Sequence, residues 1–215
     1  MTKQWFDKVK YDGLGDTETF QATYDICRML LKNGVPGDFV ECGVFKGAHC
    51  AIMARAIMDH YMHALDIADI PDVEWKQLER RVHLFDTFAG IPKPGPADTE
   101  LIMSGNVGGE SAFPLEGVKQ KMREWRIPKE LLVYHEGFVE NTLPIATGRG
   151  WVKQVAFLRI DVDLYRATEA CLKHLYPLVP RGGVVCVDDF NLAGCRKAVL
   201  ERVVPAPIYW VVPTK

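Results

Sequence analysis

Two short acidic runs carry the clearest chemistry in this sequence: Asp161-Val162-Asp163 and Asp188-Asp189. In extended chain Asp161 and Asp163 point to the same side, because side chains alternate along a strand. Asp188 and Asp189 close another apolar run, Val184 to Val187. Carboxylate oxygens grouped in this way make a hard-oxygen site, which favours Mg²⁺ or Ca²⁺ over Zn²⁺. Mg²⁺ keeps positions open for water or a substrate hydroxyl. The competing reading makes the same residues helix caps and solvated acids.

A second grouping is Glu41-Cys42-Gly43-Val44-Phe45-Lys46-Gly47, a strand end, a tight turn and a helix start. Gly43 and Gly47 would let backbone approach a ligand. The turn has neither the G-x-G-x-x-G spacing of a dinucleotide site nor a phosphate-binding G-x-x-x-x-G-K-[ST]. A carboxylate at Glu41 repels a pyrophosphate and suits an ammonium or a sulfonium. S-adenosylmethionine carries both of those cations and no phosphate. Asp86 ends the next strand, where an acid can accept hydrogen bonds from ribose hydroxyls; its alternative role is to cap the turn Thr87-Phe88-Ala89-Gly90.

The elements that would position these acids follow from apolar periodicity. Helices are expected at 16–33, where Phe20, Tyr24, Cys27 and Leu31 share a face, and at 47–63, 115–125, 165–176 and 193–202. Strands are expected at Phe39–Cys42, Val82–Phe85, Leu131–Tyr134, Gln154–Ile160, Val184–Val187 and Ile208–Val212, with a short surface helix within 66–81. Continuous apolar strands alternating with helices predict a Rossmann-like α/β fold: a doubly wound, mostly parallel sheet with helices on both faces. In such a sheet every carboxyl end lies on one edge, where ligands bind. Glu41, Asp86, Asp161, Asp188 and Asp189 would gather there and repel one another, so something cationic is expected among them. Residues 89–113, rich in Gly and Pro, read as a substrate-covering loop.

The 215 residues, with 48% hydrophobic and 25% charged side chains and a net charge of −2, suit one soluble domain over 1–215, its first 35 residues helical. The charge balance gives no pull toward nucleic acid or an acidic membrane surface. The polar stretch Met1 to Asp16 does not resemble a secretory signal. Cys27, Cys42, Cys50, Cys171, Cys186 and Cys195 form no C-x-x-C pair and read as reduced structural thiols of a cytoplasmic protein.

Five blocks then resemble the macrocin-type sugar O-methyltransferases: 36–44, 85–92, 137–144, 158–168, and Gly182-Gly183 through Asp188-Asp189-Phe190. The resemblance implies a class I methyltransferase fold with S-adenosylmethionine and Mg²⁺ as cofactors. It places the cofactor on the turn Glu41, Cys42, Gly43, Phe45 and Gly47, on Asp86, on Asp161, and on Gly137 and Phe138 near the adenosine. It makes Asp161, Asp188 and Asp189 the metal ligands and Asp163 the general base, with Pro92 to Phe113 over the substrate. It suggests a small-molecule hydroxyl acceptor, a glycoside above all, and a homodimer. The segment 64–81 looks longer than the family norm and the end after Ala198 shorter, so no particular acceptor follows.

The reaction then expected is in-line methyl transfer from sulfonium to a hydroxyl oxygen, whose proton Asp163 removes. A catechol-type Mg²⁺ O-methyltransferase and a catalytically inactive cofactor-binding homologue stay open as alternatives. His135 and His174 read as structural, and Trp125, Trp151 and Trp210 as core or interface residues.

Overall fold

A computed structural model of the chain describes residues 3–12, 16–64 and 78–202. Five parallel strands form one sheet: β1 (Asp38–Cys42), β2 (Val82–Asp86), β3 (Leu132–Glu136), β4 (Val155–Ile160) and β5 (Val184–Val187), in the order β3-β2-β1-β4-β5. The order reverses between β1 and β4, the switch point at which doubly wound sheets open a ligand crevice. Every residue of β4 is buried, as a strand covered on both faces requires.

Eight α-helices of the described residues surround the sheet: α1 (Lys3–Asp12), α2 (Thr17–Lys32), α3 (Ala48–Ala64), α4 (Thr99–Met103), α5 (Leu115–Glu124), α6 (Val139–Gly148), α7 (Tyr165–Leu175) and α8 (Ala193–Arg202). Asp16 caps α2 by accepting from the Thr19 amide at 2.7 Å, the first-turn bond that an N-cap acid supplies. Phe20, Tyr24, Cys27 and Leu31 are all buried, so the spaced apolar face of α2 turns inward. One core joins α2 and α3 to the side of the sheet carrying Phe39, Leu84 and Phe157. The other joins α6 and α7 to Val40, Leu158 and Ile160.

The strands and helices expected within the described residues recur with small shifts of their ends. The helix α6 was not expected, and Pro144 sits inside it. Its buried residues Val139, Leu143 and Ala146 nonetheless keep helical spacing. The loop 89–113 holds the short helix α4. The strand expected at 208–212 and Trp210 lie outside the described residues, as does nearly all of the surface helix expected within 66–81. Among the described residues no helix is long and apolar enough to cross a membrane.

Candidate active site

The backbone ladder runs one rung beyond the strands on their carboxyl edge. The amide of Gly43 donates to Phe85 at 2.9 Å, that of Gly137 to Asp86 at 2.9 Å, that of Asp161 to Cys42 at 2.8 Å, and that of Asp188 to Ile160 at 2.9 Å. Gly137, Asp86, Gly43, Asp161 and Asp188 are thereby strung along one line across the sheet. A cavity of about 390 Å³ opens above it, within the usual range for a small-molecule site. Its walls include Glu41, Phe45, Asp86, Phe138, Asp161, Asp163 and Asp188.

At one end of the cavity, Asp161, Asp188 and Asp189 each offer an oxygen, all three within 4.8 Å of one another. An all-carboxylate trio is the donor chemistry of a hard divalent cation. Burial first, and the charges of Asp161 and Asp163 next, push the Asp189 carboxyl up to about 8. Asp163 is pushed up to about 6 by burial and by Asp161 and Asp188. Its backbone takes the left-handed conformation, φ 58°, in the sharp turn between β4 and α7. Asp is one of the few side chains that enter this region readily.

A guanidinium fills the centre of the acid cluster. Arg159, 3% exposed, stands beside Glu41 in the β1–β4 register. Its Nη1 lies 2.9 Å from Glu41 Oε1 and 2.5 Å from Asp161 Oδ2, and its Nη2 lies 2.7 Å from Asp188 Oδ1. Burial opposes its charge, but the three carboxylates outweigh burial and hold it firmly protonated. Glu41, 2% exposed, also accepts from the Cys50 thiol at 2.6 Å. Burial raises the Glu41 carboxyl to about 7 against the opposing pull of Arg159. The cation expected among the acids is therefore supplied in part by the chain itself.

Asp86 faces the β1–α3 turn. Its Oδ2 accepts from the amides of Val44 at 2.5 Å and Phe45 at 3.1 Å, and its Oδ1 from the Phe88 amide at 2.7 Å. Gly43 has φ 84°, and a Cβ there would fall 1.5 Å from the Asp161 carbonyl oxygen. Its glycine is thus demanded by the meeting of two backbone turns.

Residues 10–210 match the Macrocin-O-methyltransferase (TylF) family. The chain belongs to this family. It is 33% identical over 175 residues to the 8-demethyl-8-(2,3-dimethoxy-alpha-L-rhamnosyl)-tetracenomycin-C 4'-O-methyltransferase of Streptomyces olivaceus, over 79% of this chain and 59% of that protein. It is 32% identical over 176 residues to the mycinamicin III 3''-O-methyltransferase of Micromonospora griseorubida, over 80% and 62% of the two. The chain spans about three fifths of the length of these curated relatives. The solved structure of the O-methyltransferase NovP aligns at 30% identity with a TM-score of 0.67, over 85% of this chain and 69% of that one. The fold is that of the class I methyltransferases.

The sequence expectations for this macrocin-type chain meet the structure unevenly. Glu41, Gly43, Phe45, Asp86, Gly137, Phe138, Asp161, Asp163 and Asp188 all line the cavity, and Asp189 joins the acid trio. Cys42 and Gly47 do not line it. Cys42 is buried in the core below α7, and a Cβ on Gly47 would meet Met122 of α5 at 2.6 Å. Glu41 and Asp86 line the site with their carboxylates already engaged by Arg159, Cys50 and turn amides. For Asp86 the turn-capping alternative is realised: it binds the Phe88 amide as well as the β1–α3 turn.

Of the loop 89–113, expected to cover substrate, only the base, Gly90, Ile91, Pro92 and Ser111, lines the cavity. The loop is closed at that base by Ile91 and Glu110, whose amide and carbonyl meet at 2.8 Å. It is latched by the buried Asp98, which accepts from the Tyr165 amide of α7 at 2.7 Å and the Gly95 amide at 2.8 Å. All six cysteines are free, and all but the half-buried Cys186 are fully buried.

Sequence reasoning passed over Arg159, Asp98 and His49. His49 is buried in the cavity wall with Nδ1 2.9 Å from Thr23 Oγ1; burial first, and Arg159 next, hold its pKa well below the usual range. A charged residue inside the apolar run Val155 to Ile160 was the available signal for Arg159.

Proposed function

We propose that the chain is an S-adenosylmethionine-dependent, Mg²⁺-assisted O-methyltransferase acting on a hydroxyl of a sugar or a glycosylated small molecule. The observation that carries this reading is the trio Asp161, Asp188 and Asp189 at the edge of a cofactor-sized cavity. The relatives in the family methylate hydroxyls of glycosylated natural products by name, which supports an acceptor of that class. The reading takes 1–215 as one catalytic domain, working in the cytoplasm as a homodimer.

The residues fit the two groups. The trio offers only carboxylate oxygens, the set for Mg²⁺. When bound there, Mg²⁺ would supply the Lewis acidity that lowers the pKa of an acceptor hydroxyl. The turn from Gly43 to Lys46, Asp86, and Gly137 with Phe138 line the cavity and would receive the cofactor, with half-exposed Phe138 near its adenosine. Asp163 takes the hydroxyl proton: its carboxyl, raised to about 6, is still ionised at neutral pH and is a stronger base than an exposed aspartate. Closure of the loop from Pro92 to Phe113 would order the acceptor and exclude water.

A methylation assay with S-adenosylmethionine, a panel of rhamnosides and free catechols, and either Mg²⁺ or EDTA tests the reading. Mass gain of one methyl on a glycoside, abolished by EDTA, is the expected result. Turnover in EDTA would remove the metal, and methylation of catechols alone would remove the glycoside.

A further inference from the structure

Arg159 stands mid-strand between Leu158 and Ile160, where the sheet fixes its backbone on both sides: Glu41 is its register partner on β1 and Cys186 on β5. Its guanidinium uses one oxygen of each neighbouring acid, Oδ2 of Asp161 and Oδ1 of Asp188. The other oxygen of each has no hydrogen bond among the described residues. Those two acids are also members of the trio whose ligand atoms converge within 4.8 Å.

We infer that Arg159 is a positioning residue for the cation site, holding Asp161 and Asp188 by one oxygen each and leaving the second oxygen of each to join Asp189 around a cation. This rests on the metal reading above and adds to it the part of the chain that builds the site. A planar fork with two fixed nitrogens sets the spacing of two carboxylates, which a single ammonium cannot do. Without such a tie, three neighbouring carboxylates would turn apart to reduce their repulsion. Each cation bound would then have to reorder them. Groups that orient metal ligands from behind typically contribute about 10–100-fold to metal affinity.

The charge of Arg159 itself repels a cation, so simple removal mixes two opposed effects. Two variants avoid this. Arg159→Lys keeps the charge and loses the fork. The pair Arg159→Met with Glu41→Gln removes one positive and one negative charge together, which keeps the local net charge and strands no buried ion. Mn²⁺ titration followed by electron paramagnetic resonance should show about 10–100-fold weaker binding in either variant, while circular dichroism shows the fold retained. A folded variant that binds Mn²⁺ as tightly as the parent overturns the positioning role. No Mn²⁺ binding by the parent chain overturns the metal reading instead, and the two failures are distinct.

A measurement on the unaltered chain covers variants that do not fold. The Arg159 guanidinium protons, followed by nitrogen-15 NMR, should stay protected from solvent exchange when Mg²⁺ is added. Their release on Mg²⁺ addition would show that Arg159 lets go of the acids when a cation arrives, and would overturn the inference.

Discussion

The backbone N–H of Asp163 donates to Oδ2 of Asp189 across 3.0 Å. The proposed base and a proposed metal ligand are thus joined through a turn in which Asp163 holds a left-handed backbone. The bond ties the base's position to the acid trio, so chemistry and cation binding share one piece of geometry. Asp163→Asn keeps this amide and the turn, since Asn also enters the left-handed region. It should lower kcat by about 10²–10⁴-fold while S-adenosylhomocysteine binding, read by calorimetry, stays close to that of the parent. Unchanged kcat would exclude Asp163 as the base.

Asp189 has no bond to Arg159, so its loss leaves the buried ion cluster in place. Asp189→Asn should abolish the Mg²⁺ response of turnover and leave cofactor affinity within a few-fold. Calorimetry with Mg²⁺ and a methylation assay check both halves, and an intact Mg²⁺ response would remove Asp189 from the ligand set.

Stability should fall as pH rises through the neutral range in EDTA. Glu41, Asp163 and Asp189 keep their protons to about 7, 6 and 8 in the folded chain, chiefly because burial disfavours their charge. An unfolded chain releases them near 4. Between those limits these three acids bind more protons in the folded state, so their share of the stability falls until about pH 8, opposed only below the ordinary histidine range by the buried, uncharged His49. Melting curves at pH 5.5 and 8.0 in EDTA should show the lower Tm at pH 8.0. Added Mg²⁺ should restore more of the Tm at pH 8.0 than at 5.5. A Tm in EDTA that rises over this interval would contradict the account.

Asp98 is a latch between the 89–113 loop and the first turn of α7. Asp98→Ala leaves the amides of Tyr165 and Gly95 without their acceptor and should cost about 1–2 kcal/mol, the size of a lost helix cap. The loosened loop should raise KM for the acceptor more than it lowers kcat. Thermal melts and acceptor-dependent kinetics check the two effects.

Gly43→Ala sets a Cβ against the Asp161 carbonyl oxygen and forces a left-handed backbone on alanine. It should destabilise by about 3–5 kcal/mol, the upper range for single substitutions. Chemical denaturation measures the loss, and a near-neutral result would mean that the two turns do not meet as described.

Periodic apolar residues made most of this architecture legible from the chain alone. Phe20, Tyr24, Cys27 and Leu31 turn inward together, and the continuous apolar run of β4 is buried throughout. The alignment of Asp161 and Asp188 followed as well, since parallel strands send their ends to one edge. Bonding partners far apart in sequence were not legible. Glu41 and Arg159 lie 118 residues apart, and Asp98 and Tyr165 lie 67 apart. Nothing local tells Glu41 that its oxygens are already taken, or tells Asp86 that it will turn back to the amides of Val44 and Phe45. The helix α6 offers little periodic signal: it holds a proline, and only Val139, Leu143 and Ala146 are buried.

The extra ladder rung places Asp161 and Asp188 within the hydrogen-bonded frame of the sheet. With the 89–113 loop as the proposed seat of the acceptor, insertions and exchanges there would reshape that seat while the acids stay anchored. On the proposed reading, such a chain would pass from one glycoside to another by editing its periphery, and directed evolution for a new acceptor should collect its changes there.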